Sequence, residues 1–241
     1  MCQAAEAAGL EAIGIADHCN VSTRSRNVRA KEALGFNLDL TYERRRSGIE
    51  TLRDRFDVDI YDAVEMDFDT RDVDAIESFL AEADFEYAIG SVHHLDGMNV
   101  HVEPYFASKP ESERADLVET FFDETVALFE SGLFEIAAHV DLVERNPALR
   151  GFATEAHYRR VAEAAADSET YVEINAGRVR DEYGEFHPAP QFLEVLSEFD
   201  VEFVLSSDAH SPEELEGRNE DLKQFAEERG IDPVSVLPRG K

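Results

Sequence analysis

The chain has 241 residues, 43% of them hydrophobic and arranged in periodic segments, so it is long enough to bury a sizeable core and is not a disordered acidic polymer. Lysine and arginine number 23 against 53 aspartates and glutamates, a formal net charge of −30 that repels nucleic acid phosphates and anionic membranes and excludes both as general partners. The same charge repels itself unless salt screens it, so a halophilic source is expected. Cys2 and Cys19 are the only cysteines and form no CxxC, which argues against a disulfide framework or a Cys-based zinc site and for a reducing, cytoplasmic setting. No basic segment precedes an apolar core at the N-terminus, and no run of about 18 apolar residues occurs, so a soluble, unsecreted protein is expected.

In chain order, residues 1–8 are Ala-rich with helical spacing and end at Gly9. Residues 12–16 are a short apolar run, a buried strand that stops at Asp17 and His18. Tyr42, Ile49, Leu52 and Phe56 share helical spacing over 41–56, and 59–67 follows as a strand rich in Ile, Tyr, Val and Met. The alternation repeats as helix 71–82 and strand 87–93, helix 111–131 and strand 135–142, helix 154–166 and strand 171–176, then helix 189–199 and strand 201–206. A helical tail follows Pro212, and the longest irregular stretches are 19–40, 94–110 and 177–188. Six short apolar strands alternating with helices call for a parallel sheet buried on both faces. No linker divides the chain, so residues 1–241 are expected to form one α/β domain.

In a parallel barrel every strand's C-terminal end opens on one face, and the loops there carry the chemistry. Ionisable residues fall at those ends: Asp17-His18, Glu65, His93-His94, His139 with Asp141, Glu173, and Asp208 with His210. Imidazoles and carboxylates gathered in this way are ligands for Zn, Mn or Fe. A carboxylate shared by two ions about 4 Å apart is the basis of two-metal phosphoester chemistry. A single His after a strand is more often a solvated or hydrogen-bonded loop residue, and His101, His157 and His187 are read so. Glu65 and Asp208, flanked by apolar residues, are harder to place without a cation, because buried carboxylates need partners. Arg178 and Arg180 follow strand 171–176, where they either clamp a phosphate or pair with Asp181 or Glu182.

Taken together, Ala16-Asp17-His18, Val64-Glu65-Met66, Gly90-Ser91-Val92-His93, Ala138-His139-Val140-Asp141-Leu142 and Ser207-Asp208-Ala209-His210 resemble the motifs of the PHP (polymerase and histidinol phosphatase) family, in order and over nearly the whole chain. Ser91-Val92-His93-His94-Leu95-Asp96-Gly97 and the stretch from Glu173 to Glu185-Phe186-His187-Pro188 are most similar to its stand-alone histidinol-phosphatases. The resemblance implies a distorted (β/α)7 TIM-like barrel holding up to three divalent ions (Zn, Mn or Fe). Glu65 would bridge the first and second, His93 and His139 complete the second, Asp208 bind the first, and His18 with His210 bind the third. A hydroxide held between ions would attack phosphorus in line. Arg178, Arg180 and His94 are left for the substrate, and Asp141 for a role beside the ions or at the leaving group.

The family's chains open with a strand bearing His-x-His, whereas no His precedes His18 here. The expectation is that this first strand is absent, through a start placed at an internal Met1 rather than through degeneration, because a barrel short of one strand exposes two edges. The expected activity is hydrolysis of a small phosphate monoester, histidinol phosphate in histidine biosynthesis first. The alternatives are a PHP phosphoesterase acting on a nucleotide or other small phosphate ester, and an inactive metal-binding PHP-like protein. His and carboxylate ligands do not choose among the metals, and oligomeric state is not legible.

Overall fold

The computed structural model describes residues 1–34 and 37–236. A short helix α1 (Cys2–Ala7) turns at Gly9, in the left-handed region at φ 67°, into strand β1 (Ala12–Cys19). Helices α2 (Ser25–Leu34) and α3 (Tyr42–Arg53) lead to β2 (Asp59–Asp67), and α4 (Val73–Ala83) to β3 (Tyr87–Ser91). A hairpin of β4 (His94–Leu95) and β5 (Met98–Asn99) comes next, turning on Asp96 and Gly97 at φ 52° and 67°. Two left-handed residues are what a tight hairpin turn requires, and Asp-Gly supplies them. Then follow α5 (Glu103–Ala107), α6 (Glu111–Ser131), β6 (Ile136–Ala137), α7 (Glu155–Ala166), β7 (Tyr171–Asn175), α8 (Pro190–Leu196), β8 (Phe203–Ser206) and α9 (Pro212–Arg229).

Six strands pair in parallel in the order β1-β2-β3-β6-β7-β8, as the alternation of helix and strand requires. The sheet is curled. Ala63, Tyr87, Ile136 and Val204 form one buried cluster with Ala16, Tyr61, Ile89 and Tyr171, joining residues of all six strands, which only a concave inner face can do. β1 and β8 are its edges, and the helices beside them meet: Cys2 and Ala5 of α1 pack in one cluster with Leu215 of α9. After α9 the chain returns along β8, where Val234 N–H donates to Phe203 O at 2.8 Å and Val234 and Val236 pack on the inner cluster.

The outer face is covered by helices. Phe121, Phe122 and Phe129 of α6, Tyr158 of α7 and Phe192 of α8 are buried together, with the Tyr158 and Phe192 rings stacked at 4.5 Å. Arg45 of α3 lies over β1 and β2, donating to Ile15 O at 3.2 Å and Ala63 O at 2.6 Å and pairing with Asp17 and Asp62. The Asp17 carboxylate is therefore held by an arginine of the covering helix. No helix among the described residues is long and apolar enough to cross a membrane.

Two expectations are corrected. The strand expected over 135–142 is only Ile136–Ala137, and a 3-10 turn at Leu142–Arg145 follows it, because His139 adopts a left-handed φ of 29° that ends the extended run. The stretches 19–40 and 94–110 are not irregular: they hold α2, the hairpin and α5, whose few apolar residues leave no visible helical period. Residues 35–36 of the first stretch lie outside the described residues.

Candidate metal centre

Parallel pairing of β1 with β2 sets His18 opposite Glu65. His18 Nδ1 lies 3.3 Å from Glu65 Oε2, while Oε1 faces His139 Nε2 at 3.2 Å and His93 Nε2 at 3.5 Å. The three nitrogens come from the end of β1, from the turn after β3 and from the turn after β6, so one carboxylate gathers residues from three separate segments. Ligand atoms of His18, Glu65 and His93 all lie within 4.8 Å of one another. His93 and His139 are buried, whereas 56% of the His18 side chain is exposed, so the group has a sealed floor and an open side.

These spacings test whether a cation fits. Ligand atoms bonded at about 2.0–2.2 Å in a tetrahedron lie roughly 3.3–3.5 Å apart, and the nitrogen–oxygen separations here are 3.2, 3.3 and 3.5 Å. The donors are imidazole nitrogen and carboxylate oxygen, the set that binds Zn, Mn or Fe in open sites. The residues present therefore fit a divalent ion.

The electrostatics agree. Burial pushes the Glu65 carboxyl up, but the His139 hydrogen bond and the nearby His93, His139 and His18 outweigh it and hold its pKa down at about 2. Burial pulls His93 down, yet the hydrogen bond and charge of Asp67, with Glu65 and Asp208, raise it to about 9. Burial dominates at His139 and lowers its pKa. Such a pocket stabilises positive charge at its centre and keeps Glu65 anionic.

Asp208 follows β8 and its charge acts on both His93 and His139. Its carboxylate packs over Gly177, where a Cβ would overlap Asp208 Oδ2 and lie 2.8 Å from Asn175 Oδ1. Asp208 and His139 have φ of 44° and 29°, a conformation uncommon outside glycine and concentrated at functional sites. His210 is at the rim: its Nδ1 is 3.7 Å from Asp208 Oδ1, and its ring is 6.3 Å from that of His18.

The other expected site residues are placed differently. His94 Nδ1 is 3.4 Å from Asp67 Oδ2, behind His93. Asp141 has no exposed surface, and its two oxygens accept from His187 Nδ1 and from Ala189 N–H at 2.6 Å each, so it offers no free oxygen to a leaving group. Arg178 pairs with Asp181 at 2.8 Å, one of the two foreseen partners, and its charge still reaches His101. Arg180 is turned to α9, donating to Asp221 at 2.6 Å and to Gly217 O at 2.9 Å. Of the three histidines read as loop residues, His157 is structural, capping α7 through Thr154 and pairing with Glu119 at 2.6 Å. His187 is sealed against Asp141. His101 is at the mouth, its ring 6.4 Å from that of His93, with partial burial and then the charges of His93, His139 and Arg178 lowering its pKa to about 4.

Asp67 was not among the expected site residues, although its place two residues beyond Glu65 on one strand puts both carboxylates on the same face. Glu173 is the other acid of the floor. Burial, then the Asp208 charge, raises its pKa to about 8, while it accepts from His139 N–H and Asn175 Nδ2 at 2.9 Å each.

A Deinococcus radiodurans protein named "Probable histidinol-phosphatase" is 27% identical over 158 residues, 66% of this chain and 60% of that protein. The chain thus spans about 60% of the length of that curated relative. A histidinol phosphate phosphatase of Lactococcus lactis subsp. lactis Il1403, solved with zinc, L-histidinol and phosphate, superimposes with a TM-score of 0.69 at 16% identity, over 98% of this chain and 88% of that one. A Listeria monocytogenes protein assigned as a histidinol phosphatase gives the same TM-score and identity over 88% and 89%. At such identities the likeness is one of fold. The model of the PHP domain matches residues 1–177. With that match covering most of its length, the chain belongs to the PHP domain family.

Proposed function

We propose that the protein is a divalent-metal-dependent phosphomonoester hydrolase whose substrate is histidinol phosphate. The observation that carries this reading is the meeting of His18, His93 and His139 around Glu65 at ligand spacing. The relatives named above support the substrate. His18, Glu65, His93, His139, Asp208 and His210 would hold the ions, which when bound supply Lewis-acid polarisation of phosphoryl oxygens and an acidified water.

The chain's own groups do the rest. Glu65, with its pKa held at about 2, remains an anionic ligand throughout the neutral range. Arg178, 39% exposed and near His101, would exchange Asp181 for a phosphate oxygen. His101 would line the approach to the ions, where it stays neutral near pH 7, while His94 stands behind His93 against Asp67. Arg180 would hold the loop through α9 rather than touch substrate.

Phosphate release from histidinol phosphate, nucleoside monophosphates and a generic aryl phosphate, measured in high salt with Mn or Zn, tests the proposal. Histidinol phosphate should be turned over fastest, with activity abolished by chelator, by His93→Ala and by Asp208→Ala. No release from any ester, or full activity in either variant, would remove it.

A further inference from the structure

We infer that Asp67 is a positioning residue: it fixes the proton and the aim of His93, and it ties that ligand through Asn20 to the loop after β1. The inference rests on the metal-site reading and extends it to a residue outside the ligand set. Asp67 Oδ1 lies 2.6 Å from His93 Nδ1. Ser91 Oγ is 3.0 Å from the same nitrogen and spends its own proton on Met66 O at 3.3 Å, so it can only accept from the ring. Both neighbours of Nδ1 are thus acceptors, and Nδ1 must carry hydrogen. Nε2 is left to face Glu65 Oε1, as a ligand nitrogen should.

A metal-binding imidazole held at its other nitrogen by a carboxylate keeps its ring orientation and gains basicity, an effect worth about 10–100-fold in metal affinity. The second oxygen has its own task. Asp67 Oδ2 accepts from Asn20 Nδ2 at 2.7 Å and lies 3.4 Å from His94 Nδ1. Asn20 in turn accepts from Ser22 N–H at 2.9 Å, and its backbone N–H donates to Asn37 Oδ1 at 3.3 Å. One carboxylate therefore links a ligand on the β3 turn to the segment that follows β1. Only 14% of the Asp67 side chain is exposed, which shields both bonds from competing water.

Two measurements test this. In 15N-labelled, metal-free wild-type protein, His93 Nδ1 should show a directly bonded, slowly exchanging proton; an unprotonated Nδ1 would overturn the inference without any variant. Zinc affinity is then measured by chelator competition for wild type and Asp67→Asn, whose carboxamide keeps the size but loses the charge. A 10–100-fold weakening is expected, with loss of the slowly exchanging proton. Equal affinity in the two proteins would sink the role of Asp67 alone. A wild type that binds no zinc would instead sink the metal-site reading on which it rests.

Discussion

Asp141 and His187, 46 residues apart, hold each other at 2.6 Å with both side chains sealed from solvent. The bond joins the turn after β6 to the loop after β7, and Ala189 N–H takes the other Asp141 oxygen. Removing the carboxylate would leave the buried His187 Nδ1 and the partly buried Ala189 N–H without their acceptor. Asp141→Ala should therefore cost about 2–4 kcal/mol in urea unfolding of the metal-free protein, and a loss within 1 kcal/mol would refute the anchoring role.

Gly177 matters for the space it leaves. Because a Cβ there would overlap the Asp208 carboxylate, Gly177→Ala should displace that side chain while the sheet stays intact. Zinc affinity is expected to fall roughly tenfold or more, a ligand-positioning effect, with far-UV circular dichroism unchanged. Wild-type affinity in the variant would show that Asp208 does not reach the ions from its present position.

Glu173 gives a pH dependence of known sign. Its folded pKa of about 8 lies above the ordinary 4.5, first through burial and then through Asp208. The folded protein thus holds the proton more tightly than the unfolded chain, so this contribution to stability is complete below about 4.5 and is lost as pH rises through about 8. In chelator, Glu173→Gln should match wild type at pH 4.5 and exceed it at pH 8.5 by on the order of 5 kcal/mol. Parallel pH profiles for the two proteins would count against a buried, protonated Glu173.

The net charge of −30 predicts a salt response. Screening shortens from roughly 10 Å at 0.1 M to 3 Å at 1 M, so the melting temperature should climb steadily with KCl over that range. A flat profile would mean that repulsion among the surface carboxylates does not limit the stability of the fold.

Neighbouring residues alone settle much of this molecule. Helix α6 and strand β2 have the bounds that their periodicity predicts, because long apolar repeats report local geometry directly. Glu65, His93 and His139 were legible for a related reason, since strand ends in a parallel sheet share one mouth. Partners across space were not. That Asp67 serves His93, that Asp141 is spent on His187, and that Arg180 turns to Asp221 each depend on segments 26 to 46 residues apart coming within 3 Å. A carboxylate's role is set by which donor the fold brings to it, and no spacing along the chain encodes that approach.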